Sequence, residues 1–241
     1  MVKKILGAAA LLAGASFGAI SADAQTATVT VTGTVTSGYD ATGKFTAAGA
    51  SLAGMPFSAI FTVEPKAGST VIQTPTLDFI FGLGSASPVS AALTIGAGTQ
   101  LYTGSFQSMA RSNNSATDGL YYLSEDTDPT TLPPPPTSTL FYVSVDTLRD
   151  LLSQANYSSY PTINLLPQDN GIGLAQIANR DAVTGQYGAV TYANLSLSTI
   201  SANIAAPVPE PATWAMMVVG FGVAGAAMRR RTRTTARVAF A

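Results

Sequence analysis

The 241-residue chain contains no cysteine and no histidine. Without cysteine it can form no disulfide, thiolate nucleophile or cysteine metal site. Without histidine it can build no Ser-His-Asp or Cys-His triad. A glycosidase needs only two carboxylates, but residues 25–206 hold just two glutamates, Glu64 and Glu125, which read as turn or loop. We therefore predict a protein that is not an enzyme and uses no cofactor, and a secreted hydrolase is disfavoured.

Charged residues are also scarce, at 10% of the chain, and they are unevenly distributed. Residues 25–206 carry eleven acidic and five basic side chains, a net charge of −6, while the other basic residues lie at the two ends. We therefore expect that this acidic domain does not bind nucleic acid by neutralising phosphates. About 180 residues between the ends suffice for one domain with a real core.

The first 24 residues have the three parts of a secretory signal peptide. Lys3 and Lys4 precede an uncharged apolar stretch that runs to Ile20, and Ala22-Asp23-Ala24 supplies small residues for cleavage after Ala24. This arrangement predicts export through the Sec translocon and removal of residues 1–24 by signal peptidase.

Residues 207–241 form a separate tail. Trp214 to Met228 is a run of fifteen residues without a charge. As a helix it would be about 22 Å long, so a transmembrane helix over about 212–228 has to span a hydrocarbon core of roughly 30 Å with the help of its flanks or local thinning. A basic cluster follows at 229–233, namely Arg229, Arg230, Arg231 and Arg233. The positive-inside rule keeps these arginines cytoplasmic, so the large domain faces outward.

A proline-rich motif stands directly before this helix. Pro209 and Pro211 keep the backbone around Glu210 extended, and the sequence continues to Trp214 and Ala215. With the helix and the arginines, these five residues resemble the PEP-CTERM sorting domain in its PEPxxWA form. The resemblance implies recognition by an exosortase, a membrane-embedded peptidase, in a Gram-negative bacterium that makes exopolysaccharide. A plain C-terminal anchor is the alternative interpretation of the tail.

Alternating apolar residues predict β-strands throughout residues 25–206. Val29, Val31 and Val35 alternate with threonines, which is typical of a half-buried strand, and Asp40 with Gly43 predicts a turn after it. The same alternation recurs at Phe57–Val63, Leu77–Phe81 and Val89–Ile95. Eight to ten short strands predict an all-β domain of β-sandwich or jelly-roll type.

One short helix is predicted at Asp146–Ala155, because Leu148, Leu151, Leu152 and Ala155 recur at helical spacing and Asp146 can cap its start. Thr127 to Ser138 is predicted to be a proline-rich loop.

Two groups of residues suggest ligands for the domain. Glu125, Asp126 and Asp128 lie close together in one loop, and oxygen-rich loops suit calcium, although a solvated acidic loop is the simpler interpretation. The tyrosine clusters Tyr121-Tyr122 and Tyr157/Tyr160 can stack on sugars, although tyrosine is also a common strand residue.

The sequence thus predicts an exported, non-enzymatic surface or extracellular-matrix protein. It is expected to start as an inner-membrane-anchored precursor and to reach the cell surface or matrix after exosortase processing. The resemblance implies an association with exopolysaccharide in the biofilm. The alternative function is a carbohydrate- or calcium-binding β-sandwich module with a specific ligand.

Overall fold

The computed structural model describes residues 25–126, 137–181, 184, 186–204 and 220–221. The chain divides into two units, Met1–Ile204 and Ala205–Ala241. In the second unit only Gly220 and Phe221 are described, and both are helical. The described residues of the first unit form thirteen strands. They are β1 Ala27–Asp40, β2 Ala50–Ser51, β3 Pro56–Val63, β4 Thr70–Thr74, β5 Leu77–Leu83, β6 Val89–Ile95, β7 Gly98–Tyr102, β8 Gln107–Asn114, β9 Asp118–Glu125, β10 Thr137–Thr147, β11 Tyr160–Asn164, β12 Asn170–Arg180 and β13 Tyr187–Ile204.

The strands form one antiparallel sheet in the order β4-β5-β8-β9-β10-β12-β13-β1-β3-β6-β7, with β2 beside β1 and β11 beside β13. The sheet curls so that its two halves pack face to face. Phe61 in β3 stacks on Phe141 in β10 with ring centroids 4.8 Å apart, and Tyr102 in β7 lies 5.2 Å from the same ring. The predicted all-β class is confirmed, and the two layers belong to a single hydrogen-bonded sheet.

The threonine–valine alternation of β1 positions this strand as expected. Val29, Val31 and Val35 are buried at 0–1% exposure, and the intervening threonines face outward. The predicted buried positions of β3 and β6 are also in the core. Gly33 lies at a register shift of β1, where an added Cβ would stand 2.0 Å from the Ser196 carbonyl oxygen, so no other residue fits without movement.

The predicted turn after β1 is also present. Gly43 has a φ of 70°, and the Asp40 carboxylate accepts hydrogen bonds from the backbone N–H groups of Lys44, Phe45 and Thr46. Asp40 thus closes the loop that leads to β2.

The predicted helix at Asp146–Ala155 is wrong. Asp146 is still part of β10, where it pairs with Gly119, and Leu148 is 86% exposed. The Asp118 carboxylate accepts hydrogen bonds from the N–H groups of Leu151 and Leu152, at 2.6 and 2.8 Å. Because a side chain takes these donors, they cannot bond to carbonyls one helical turn earlier. Among the described residues of the first unit, the helical structure is a short 3-10 turn at Gly84–Ala86.

Two other predictions concern the side chains of β5 and the proline-rich loop. In β5 the strand is confirmed, but Asp78 and Ile80 face inward at 6% and 0% exposure, while Phe79 and Phe81 face outward and are half-buried. In the predicted proline-rich loop, residues 127–136 lie outside the described residues, and Thr137 and Ser138 begin β10.

Candidate functional site

The outward side of β5, β8, β9 and β10 is unusually apolar for a sheet face. Antiparallel register places Phe81 beside Met109, Met109 beside Leu123, and Leu123 beside Tyr142. The next row runs Phe79, Arg111, Tyr121 and Ser144. We call these eight residues the aromatic face.

The rings of the aromatic face are arranged in two stacked pairs. Phe79 and Phe81 have centroids 6.4 Å apart, and Tyr121 and Tyr142 have centroids 5.8 Å apart with 24° between their planes. Burial raises the pKa of Tyr121, and Tyr142 and Glu125 raise it further, so its hydroxyl stays protonated and can donate. Stacked tyrosines offer an apolar surface with a polar edge.

A cleft of about 290 Å³ opens on this face, close to the lower limit for small-molecule sites, about 300 Å³. It is lined by Met109, Arg111, Asn113, Leu120, Tyr121, Ser144 and Asp146. The Ser144 hydroxyl donates to the Asp146 carboxylate at 3.0 Å. The cleft therefore combines an aromatic wall with an amide, a carboxylate and a guanidinium.

The Arg111 guanidinium is available to a ligand. Arg149 differs from Arg111 in forming an ion pair with Asp169, where it holds the pKa of Asp169 well below its usual value. Arg111 is exposed and makes no ion pair with any described residue. An arginine beside aromatic rings can donate to hydroxyl or carboxylate oxygens.

The predicted tyrosine clusters are divided between this face and the core. Tyr122 is fully buried, and its hydroxyl lies 2.6 Å from the Tyr157 carbonyl oxygen and 2.9 Å from the Tyr160 hydroxyl. Tyr157 and Tyr160 are also buried. Of these four, Tyr121 lies on the outer face of β9 while Tyr122 points inward, because neighbouring residues of a strand point to opposite sides.

The sequence analysis did not predict most residues of the aromatic face, although adjacent aromatic residues in the sequence could have indicated part of it. Tyr121-Tyr122 and Phe141-Tyr142 are adjacent aromatic pairs, and a strand must turn one member of each pair outward. Phe79, Phe81, Met109 and Arg111 join them only through the pairing of β5, β8 and β9.

The predicted acidic loop is organised around its own backbone and hydroxyl groups. The Asp126 carboxylate accepts hydrogen bonds from the Thr103 and Ser105 N–H groups and from the Thr139 hydroxyl, at 2.7 to 3.1 Å. Burial would raise the pKa of Asp126, but these donors outweigh it and lower the pKa. Glu125 accepts from Gln107, and Asp128 lies outside the described residues. Within the described part, no three His, Cys, Asp or Glu side chains are grouped to hold a metal ion.

The predicted targeting residues lie outside the described part of the chain. This applies to the signal peptide with Ala22 and Ala24, to the sorting residues Pro209, Glu210, Pro211, Trp214 and Ala215, and to the arginine cluster. Among the described residues there is no helix with the length and apolar character needed to span a membrane.

Comparison with known families identifies the tail. Residues 207–231 match the family model described as the PEP-CTERM protein-sorting motif. The match includes all five predicted motif residues and Arg229 to Arg231, while Arg233 lies beyond it. The match makes this chain an exported protein, and its described first unit is all-β. Its tail is a PEP-CTERM sorting signal, which directs it to an exosortase and implies anchoring at the membrane before processing. Neither the curated proteins nor the solved structures yielded a match to the chain.

Proposed function

We propose that this chain is a non-enzymatic surface or matrix protein whose β-domain binds exopolysaccharide through the aromatic face. The observation that carries the proposal is the stacked Tyr121–Tyr142 pair beside the unpaired Arg111. A pyranose ring has an apolar face that stacks on tyrosine and hydroxyls that meet arginine and amide groups.

The arrangement suits a polymer better than a small ligand. The cleft is small and continues into exposed apolar side chains, since Ile72 beside Phe79 is 43% exposed and Ile172 beside Ser144 is 44% exposed. A repeating chain can engage such a surface at several points, and linked weak contacts add up to useful avidity.

The uses of the carboxylates support a non-enzymatic role. The carboxylates of Asp40, Asp118 and Asp126 each accept hydrogen bonds from backbone N–H groups of loops. Asp169 forms an ion pair with Arg149. Acids used in this way stabilise the fold, whereas a catalytic pair needs two carboxylates facing a common space.

The export route gives the domain access to such a polymer. In this proposal the Sec translocon and signal peptidase act on residues 1–24. The helix at about 212–228 then anchors a precursor in the inner membrane, and the exosortase releases the domain to the cell surface or biofilm matrix.

The route is tested by replacing Pro209, Glu210 and Pro211 with alanine and blotting membrane and medium fractions of the native host. We expect the wild type to be released in a shortened form and the variant to stay in the membrane. If both release the same species, the motif is not the recognition element. If the wild type keeps its tail in the membrane, the tail is a plain anchor.

The binding is tested by affinity electrophoresis of the full chain in gels containing the host exopolysaccharide. Replacing Tyr121 and Tyr142 with alanine should weaken binding about 5- to 150-fold, because two stacking contacts of about 0.5–1.5 kcal/mol each are lost. Tyr39 and Tyr192 form a matched control, being 44% and 40% exposed, paired in register and on a different part of the sheet. Equal retardation of both double variants would refute the proposal. Self-association through the aromatic face would assign it to a second copy instead.

A further inference from the structure

A second cleft lies at the turn between β4 and β5, where the loop around residues 154–158 closes against it. It has a volume of about 380 Å³. We call it the Asp78 cleft and define it by Gln73, Thr74, Asp78, Gln154, Asn156 and Ser158. It shares no lining residue with the cleft on the aromatic face.

Asp78 is the unusual group in this cleft. It is only 6% exposed, and its Oδ2 accepts one hydrogen bond, from the Tyr157 N–H at 3.2 Å. Its Oδ1 is buried and has no hydrogen-bond partner among the described residues. Burial raises the pKa of Asp78, and the Tyr157 N–H together with the nearby Gln73 carboxamide offsets this only in part.

An unpaired, buried carboxylate oxygen requires an explanation, because nearly all buried acceptors in folded proteins are satisfied. The other buried aspartates of this domain follow that rule, and Asp40 accepts three backbone N–H bonds. Asp78 differs in lining a polar cleft. A ligand that brings its own donor would satisfy Oδ1.

The neighbouring groups define the chemistry of that ligand. Asn156 Oδ1 already accepts from the Ser158 N–H and hydroxyl and from the Ser159 N–H, at 2.8 to 3.0 Å. Its Nδ2 therefore remains as a donor. The exposed Gln154 carboxamide offers both a donor and an acceptor.

A hard cation needs oxygen ligands on all sides, and an amide N–H₂ group at the rim disfavours it. Sugar hydroxyls both donate and accept, which matches one free carboxylate oxygen surrounded by amides. We propose that the Asp78 cleft binds a single neutral sugar residue, with Asp78 Oδ1 accepting from its hydroxyls. The proposal for the Asp78 cleft rests on the proposed function only in the class of ligand, a sugar, because no residue of the aromatic face lines this cleft.

The test is a saturation-transfer NMR titration of the full chain, in a detergent without sugar groups, with the methyl glycosides of glucose, galactose and mannose. We expect at least one glycoside to bind. Asp78→Asn should raise its Kd at least tenfold, because it replaces the free acceptor with a donor. The variant should remain folded, because the asparagine oxygen can still accept the Tyr157 N–H.

Two further variants separate a binding role from a structural one. Gln154→Ala at the exposed rim should also raise the Kd, whereas Asp150→Asn, an exposed aspartate just before the same loop, should leave it unchanged. Equal affinities in Asp78→Asn and the wild type would overturn the proposal, and so would the absence of binding by all three glycosides.

Two controls distinguish this site from other interpretations. The Tyr121→Ala/Tyr142→Ala variant should lose polymer retention and keep glycoside binding, and loss of both would place the sugar on the aromatic face instead. A CaCl₂ titration should leave the melting temperature unchanged. A calcium-dependent rise that Asp78→Asn abolishes would assign the cleft to a cation and overturn the proposal.

Discussion

The two halves of the curled sheet differ in which kinds of side chain face the core and which face outward. In β13, β1, β3, β6 and β7, the threonine half, large apolar residues such as Val31, Phe61 and Leu93 face inward, and the outer side carries mainly threonine and serine. In β5, β8, β9, β10 and β12, the aromatic half, many inward residues are small and the outer side carries rings. Its small inward residues are Gly82, Ser108, Ala110, Ser112, Ser124, Gly173 and Ala175.

The difference follows from how the halves share one core. Phe61 of the threonine half reaches across to Phe141 at 4.8 Å and Tyr122 at 5.6 Å. These rings fill most of the space between the two layers, so many of the other inward positions of the aromatic half are small, because protein interiors pack at nearly crystalline density. Aromatic residues on the outside of the aromatic half are therefore not needed to fill the core, which favours a role in binding.

The largest expected effect concerns whether both halves fold together when the two ends of the chain are removed. Residues 25–206 expressed alone should give a β-type circular dichroism spectrum and one cooperative urea transition, because the halves share one sheet and one core. Two separate transitions, or a random-coil spectrum, would contradict a shared core.

Phenylalanines on the two sides of the sheet should differ strongly in their contribution to stability. Phe61→Ala in that fragment should lower the free energy of unfolding by about 3–5 kcal/mol, because it empties a fully buried site. Phe79→Ala on the aromatic face should cost only about 1 kcal/mol, because a half-buried ring loses part of its burial energy. Urea titration measures both, and equal losses would show that the outer rings also belong to a core.

Buried aspartates in the two halves should respond to pH in opposite directions. Burial would raise the pKa of Asp40, but its backbone donors and Thr191 outweigh this and lower it. The pKa of Asp78 is raised. Asp40 therefore stabilises the fold above the unfolded pKa of about 3.9, and this stability is lost as the pH falls through the folded pKa. For Asp78 the stabilisation is present below about 3.9 and is lost as the pH rises through its folded pKa.

The matching substitutions should separate these two effects. At pH 7, Asp40→Asn should lower the free energy of unfolding by about 1–3 kcal/mol, since it removes charge-assisted hydrogen bonds, and it should flatten the loss of stability in acid. Asp78→Asn should leave stability at pH 7 unchanged or higher. Urea titrations between pH 3 and pH 7 check both signs, and a loss in Asp78→Asn similar to that in Asp40→Asn would mean that both carboxylates are structural.

Overpacking should penalise the small inward residues of the aromatic half. Ala110→Leu should cost about 1–3 kcal/mol, because Ala110 is 0% exposed beneath the opposite layer. The matched control is Ala92→Leu on the outer side of β6, which is only partly buried and should change stability by less than about 0.5 kcal/mol. A neutral Ala110→Leu would show that the halves do not pack as closely as described.

The smallest effect is expected at Arg111. Arg111→Gln should change the free energy of unfolding by less than about 0.5 kcal/mol, because the exposed guanidinium makes no ion pair with the described residues. Arg149→Gln should lower the melting temperature more, because it leaves the buried Asp169 carboxylate without its partner. A larger loss at Arg111 would indicate a structural role and remove the main polar contact from the proposed binding site.

The buried side of the strands in the threonine half could be predicted, because the alternation of apolar and polar residues along each strand shows which side faces the core. In β1, β3 and β6 the apolar positions alternate with threonine or serine, so local pattern and burial agree. In β8 the inward positions are serine and alanine, and in β12 they are glycine and alanine apart from Ile177. These strands were missed because their burial depends on the opposite layer. The helix predicted at Asp146–Ala155 failed for a similar reason, since Asp118, distant in sequence, takes its backbone donors.

The sequence by itself determined the sorting tail and the all-β class, because each rests on residues that are neighbours along the chain. A sorting signal is read as a short peptide, and a half-exposed strand shows its period locally. Only the tertiary structure decided that Tyr121, Tyr142 and Arg111 form one surface and that Asp78 is buried with a free oxygen. These features depend on strand register and on packing between layers, which bring together residues far apart in the chain.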